Sequence, residues 1–175
     1  PPAGSPLRQE GPFRHDEADV EHSLTWWAYS RNKRGVSLDL ESEAGRAALL
    51  DLVDSADFLI ESFAPGYLDA LGLGYKDLSA RNPRLIVISV TPFGQQGPKA
   101  SWPASDLTVW AASGALNITG DDDRPPVRVT VPQAFLHAGA EAAVAGLVAL
   151  AARDRDGRGQ HVDVSAQTAS MMATQ

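Results

Sequence analysis

The run Leu-Ile-Val-Ile-Ser-Val at Leu85–Val90 is the strongest constraint on the fold. Six residues of this kind, with no alternation of apolar and polar positions, read as a strand covered on both faces, which is the environment of a parallel sheet. Strand-type and helix-type segments alternate around it. "GVSLDL" alternates Val36, Leu38 and Leu40 as a strand, and "SEAGRAALLDLVDSA" follows at helical spacing behind a Ser42 N-cap. The short apolar run "DFLIESF" comes next, then two helical pieces broken by Gly72 and Gly74 and stopped at Asn82-Pro83. This order predicts an α/β fold, an open and mostly parallel Rossmann-type sheet with flanking helices.

The second half continues the pattern. The Gly/Pro-rich linker "TPFGQQGPKASWPAS" is long enough to carry function. A helix capped by Ser105, an acidic turn "NITGDDDRPP" and a strand "VRVTV" are expected after it. A long helix from about Gln133 to Arg153, opened by Pro132, leads through a glycine turn into the strand "QHVDVS". That helix is mostly Ala and Gly, so its neighbours approach closely and it is expected to be a central, buried element. Its polar residues Gln133, His137 and Glu141 recur every four positions and form one stripe. The stripe reads either as a solvent-facing edge or as part of a site near the helix N-terminus, where backbone donors favour an anion.

Composition narrows the function classes. A formal net charge of -7 and the lack of a basic block with interleaved aromatics argue against nucleic-acid binding. The absence of cysteine removes thiolate chemistry and suits a reducing compartment, so the cytoplasm is the expected location. The longest apolar stretch, Ala142–Ala152, is shorter than a bilayer requires, and no membrane association is expected. The four histidines have no metal-site spacing. "GLGYKDLSAR" places its glycines after a helix, unlike a dinucleotide fingerprint, and neither a Walker loop nor a nucleophile elbow is present. The dense positive cluster is "SRNKRG", a solvated turn or a phosphate grip.

The segments "PPAGSPLR", "RNKRGVSLDL", "GRAALLDLVDSADFLIESFAPGYLDALGLGY", "LSARNPRLIVISVTPFGQQGP", "SDLTVWAASGALNITG", "PPVRVTVP" and "RDGRGQHVDVS", in this order, resemble the class III coenzyme A transferases, the family of formyl-CoA transferase, carnitine CoA-transferase and the methylacyl-CoA racemases. The resemblance covers nearly the whole chain. It implies an acyl-CoA:carboxylate CoA-transferase, with acyl-CoA and a carboxylic acid as substrates, no metal, and a homodimer or a heterodimer with a related chain. It also implies a middle portion: an extended arm over residues 1–24, then part of the large α/β domain over 25–175. The family's first strand would precede Pro1, and its small domain would follow Gln175.

The implied coenzyme A contacts are Tyr29, Asn32, Lys33 and Arg34, then Ser62, Phe63, Pro65 and Gly66. Ser62 stands where the family has asparagine, and Ala70 where it has an arginine. The family's reactive aspartate, three residues after the proline that opens the long helix, falls on Phe135, and a phenyl ring cannot attack a thioester. Glu141 and His137 are the candidate substitutes. On an ideal helix Glu141 lies about 240° round and about 9 Å along from Phe135, so neither reoccupies its place directly. The histidine of the racemase branch falls on Ser105. Two expectations follow: a transferase with an altered nucleophile, or a non-catalytic half that pairs with an Asp-bearing partner.

Overall fold

The computed structural model describes residues 4–174; the first three residues of the expected arm, and Gln175, lie outside them. Contacts within the chain cluster into two units, Pro1–Leu49 and Leu50–Gln175.

In the first unit the segment expected as an extended arm is folded back on itself. A 3-10 helix over Pro6–Gln9 is capped by Ser5, and a second 3-10 turn covers Arg14–Asp16. The buried Ser23 hydroxyl donates to the carbonyls of Leu7 and Glu10 at 3.1 and 2.6 Å and accepts from Trp26 N, capping α1 (Leu24–Tyr29). One side chain thus ties three segments together. The Arg8 guanidinium lies 4.4 Å from the Trp26 ring centroid and pairs with Glu21. The strand expected over Val36–Leu40 is not formed. Its alternation is real, but Val36 is 69% exposed and no neighbouring strand supplies ladder partners among the described residues. Ser42 caps α2 (Glu43–Val53) as expected, its hydroxyl accepting from Gly45 N at 3.0 Å.

The second unit is built on β1 (Phe58–Glu61), β2 (Ile86–Thr91) and β3 (His161–Ser165), all parallel, in the order β1-β2-β3. Between β1 and β2 lie α3 (Tyr67–Ala70) and α4 (Tyr75–Arg81); after β2 come α5 (Asp106–Ala112) and α6 (Gln133–Asp156); α7 (Ala166–Met172) follows β3. The Leu/Ile/Val run is the central strand, as its composition requires. The Val127–Val131 strand is absent; Val127 N–H instead bonds back to Thr119 O across the acidic turn.

The register sorts the sheet into two unlike faces. Phe58, Ile86, Ile88, Val90, Val162 and Val164 form an aliphatic face that packs on Ala142 and Ala149 of α6. The opposite face carries Glu61, Ser89 and Asp163 in one row and Thr91 and Ser165 in the next. α6 buries Ala134, Ala138, Ala142, Gly146 and Ala149, a stripe at near-fourfold spacing. Small residues are needed there: a Cβ on Gly146 would stand 2.8 Å from Ile88 Cδ1. By length and apolarity this helix could cross a membrane, more than the Ala142–Ala152 run implies, but its small-residue stripe packs on the sheet. The residues facing away, among them Val144, Leu147 and Val148, are exposed, so the expectation of an all-round buried helix is not met. Gly157, in the left-handed region, ends it.

Candidate functional site

The ends of α6 fix the direction of the layer. Arg153, near its C-terminus, donates to Asp57 O and Arg84 O, just before β1 and β2. Ala134 and Ala138, near its N-terminus, share a cluster with Val90 and Phe93 at the other end of β2. The first turn of α6, the loop after β1 and the loop after β2 therefore lie at the carboxyl ends of the parallel strands. Open α/β sheets bind ligands along this edge.

At that edge Glu61 closes β1, and its Oε2 accepts the Phe63 N–H at 2.7 Å. This bond turns the chain into the loop that carries four of the expected coenzyme A contacts. Phe63, 43% exposed, packs its ring 4.8 Å from that of Tyr67. Gly66, at φ 83°, starts α3 in a conformation that side-chain-bearing residues avoid. Pro65 and Gly66 border a cavity of about 480 Å³ that extends over the polar face of the sheet; Ser62 and Phe63 lie outside its lining. Inside, the Ser89 hydroxyl is 2.9 Å from His161 Nε2, and the His161 ring is stacked on Tyr75 at 5.4 Å. Lys76, Gln95 and Gln96 complete the polar lining together with Glu61 and Asp69.

The other four expected contacts belong to the first unit. Tyr29 ends α1 and is 53% exposed; Asn32 holds a left-handed turn, and Lys33 Nζ donates to Tyr29 O. Arg34 is exposed. Aromatic ring and cations are thus local neighbours, a combination able to stack on a base and hold phosphate.

Phe135 is the third residue of α6 and is 46% exposed. Its backbone N–H is bonded by the Asp106 carboxylate, Oδ1, at 3.2 Å. Pro132 offers no side-chain cap, so a carboxylate from α5 caps α6 instead. Asp106 is presented by the predicted Ser105 N-cap, which forms a reciprocal capping box with Thr108. One turn along α5, Trp110 is stacked on His137, with ring centroids 5.8 Å apart and planes 10° apart. Glu141 is exposed and borders a separate cavity of about 180 Å³ beside Ser165 and Thr168. His137 and Glu141 share a helix face, but no hydrogen bond joins them. Asp106 is the residue the sequence reading passed over. Its signal was the acidic residue directly after a helix-capping serine, ordinary in itself; its contact with Phe135 is a tertiary fact.

Residues 1–175 match the model of CoA-transferase family III. Succinyl-CoA:(R)-benzylsuccinate CoA-transferase subunit BbsE of Thauera aromatica is 49% identical over 172 residues, 98% of this chain and 42% of that protein. Acetyl-CoA:oxalate CoA-transferase of Acetobacter aceti is 41% identical over 166 residues, 94% of this chain and 41% of that one. The crystal structure of a CAIB/BAIF family protein from Brucella suis superposes with a TM-score of 0.89 at 34% identity, over 98% of this chain and 45% of that chain. The chain thus spans less than half the length of these relatives. On the match along its full length, it belongs to CoA-transferase family III.

Proposed function

We propose that the protein containing this chain moves coenzyme A between a thioester and a carboxylic acid, as an acyl-CoA:carboxylate CoA-transferase. The observation that carries this reading is the family match over residues 1–175, joined to relatives whose names are those of CoA-transferases. The free acids in those names, benzylsuccinic and oxalic, each carry two carboxyl groups, so a dicarboxylic acid is the expected class of partner substrate. In the first unit the expected coenzyme A contacts are Tyr29, Asn32, Lys33 and Arg34; in the second they are Ser62, Phe63, Pro65 and Gly66. The loop from Thr91 to Ser105, which supplies Gln95 and Gln96 to the larger cavity, would select the acid.

A second reading makes this chain the supporting half of a two-chain enzyme that works with an Asp-bearing relative. Two observations favour it: a phenylalanine stands at position 135, and the 49% identical relative is named as a subunit. Both readings are tested by incubating full-length protein, alone and with any co-purified homologue, with succinyl-CoA and a panel of dicarboxylic acids, and following new thioesters by mass spectrometry. Transfer by the protein alone favours the first reading, and transfer only with the homologue favours the second. Hydrolysis alone, or no turnover in either case, sinks the transferase function.

A further inference from the structure

We propose that Lys99 determines which acids this chain accepts, by pairing with a carboxylate of the acid that takes no part in the exchange. The inference rests on the transferase reading above and gives one residue of the loop Thr91 to Ser105 a task in it. A dicarboxylic acid exchanges coenzyme A through one carboxyl group and carries the other as an unreacted anion. That anion needs a cation or a set of donors once water is displaced.

The loop is anchored at its root. Gln167 N–H donates to Pro92 O at 3.0 Å, Gly94 is buried in the left-handed region at φ 88°, and the Gln95 N–H is bonded by both Asp163 oxygens at 3.1 and 2.9 Å. Further along, Trp102 N–H donates to Lys99 O at 2.9 Å. Lys99 and Trp102 thus share one closed turn, and Lys99 is the single charged residue between Thr91 and Ser105.

Two rings place its ammonium. Nζ lies 6.0 Å from the Phe93 ring centroid and 5.6 Å from that of Trp102, and the rings meet edge to face at 6.3 Å. Phe93 in turn packs on the cluster that holds Ala134 and Ala138, in the first turns of α6. Lys99 therefore belongs to the carboxyl edge of the sheet, three residues past Gln96 of the larger cavity. Lys76, the cation in that cavity's lining, differs: it is exposed, and no ring fixes it among the described residues. Lys99 is half-buried, yet no carboxylate pairs with it among the described residues, whereas Arg8, Arg81 and Arg153 each have one. In a chain of net charge -7, a cation fixed by two rings and left without a protein counter-ion is a receptor for an anion. Trp102, 56% exposed, adds an apolar surface beside it for the carbon body of the acid.

The test is a competition in one vessel. Full-length parent, Lys99→Met and Lys99→Arg, each with any co-purified homologue, receive succinyl-CoA together with a dicarboxylic acid that the parent accepts and the monomethyl ester of the same acid. The two new thioesters are quantified by mass spectrometry. Both acceptors compete for the same loaded enzyme, so the product ratio reports how the acids are told apart, whatever happens to the donor. The parent should favour the diacid. Lys99→Met should lower the ratio by roughly 10- to 100-fold and raise the KM of the diacid by a similar factor, with kcat moved less. Lys99→Arg should retain most of the preference. A ratio in Lys99→Met within a few-fold of the parent, a parent without preference, or loss of both products in parallel overturns the assignment and leaves the transferase reading standing. No transfer to any acid, with or without the homologue, overturns both.

Discussion

Gly159 lies directly against the carbonyl of Leu85: a Cβ built on it would stand 1.9 Å from Leu85 O, and its own N–H donates to Pro83 O at 2.9 Å. The entry into β3 is thereby pressed onto the entry into β2, and the close approach explains the second glycine of "GRGQ". Gly159→Ala would force backbone apart, so it should destabilise by about 1–3 kcal/mol or more. Gly157 has open space around its Cβ position but a φ of 76°, so Gly157→Ala should cost only about 1 kcal/mol. Urea unfolding of the two variants measures both; equal losses would contradict the packing argument.

Arg153 is 5% exposed and donates to Arg84 O, Asp57 O and Asp57 Oδ1 at 3.1, 3.4 and 2.8 Å. It ties the C-terminal end of α6 to the starts of two strands. Arg153→Met keeps much of the volume but leaves those carbonyls without a donor, a loss of about 1–3 kcal/mol. Asp57 is 70% exposed, so Asp57→Ala should cost about 1 kcal/mol or less. The ordering of the two denaturation midpoints is the check.

Arg81 reaches from α4 to Asp54 and Asp51. Its hydrogen bond, more than its charge, holds the Asp54 carboxyl below the usual aspartate range. A lowered folded pKa contributes stability above the unfolded value and loses it as pH falls through the folded one. The melting temperature should therefore decline toward acid, with a shallower slope in Arg81→Met. The groups are solvent-exposed, so the difference should be small and should shrink with added salt.

The layer order was legible because strand and helix periods differ and because Leu85–Val90 permits only a central strand. Helix starts were legible where a serine caps them, at Ser42 and Ser105. Val36–Leu40 and Val127–Val131 misled because alternation describes a strand's faces, while a strand also needs a neighbour to pair with. The site was half legible. Pro65 and Gly66 line the larger cavity, but the meeting of Asp106 with Phe135 joins residues 29 positions apart, and nothing local in either helix announces it. The sequence placed His137 and Glu141 on one stripe, and Trp110 decides what His137 touches.

The most direct measurement follows one oxygen atom. Full-length protein, with any co-purified homologue, is turned over with succinyl-CoA and a dicarboxylic acid whose carboxyl groups carry heavy oxygen, then digested and mapped by mass spectrometry. If coenzyme A passes through a protein carboxylate, an acidic peptide of this protein or of its homologue becomes heavy, and fragment ions place the label on one side chain. Turnover that leaves every protein peptide light, or no new thioester at all, would contradict the account.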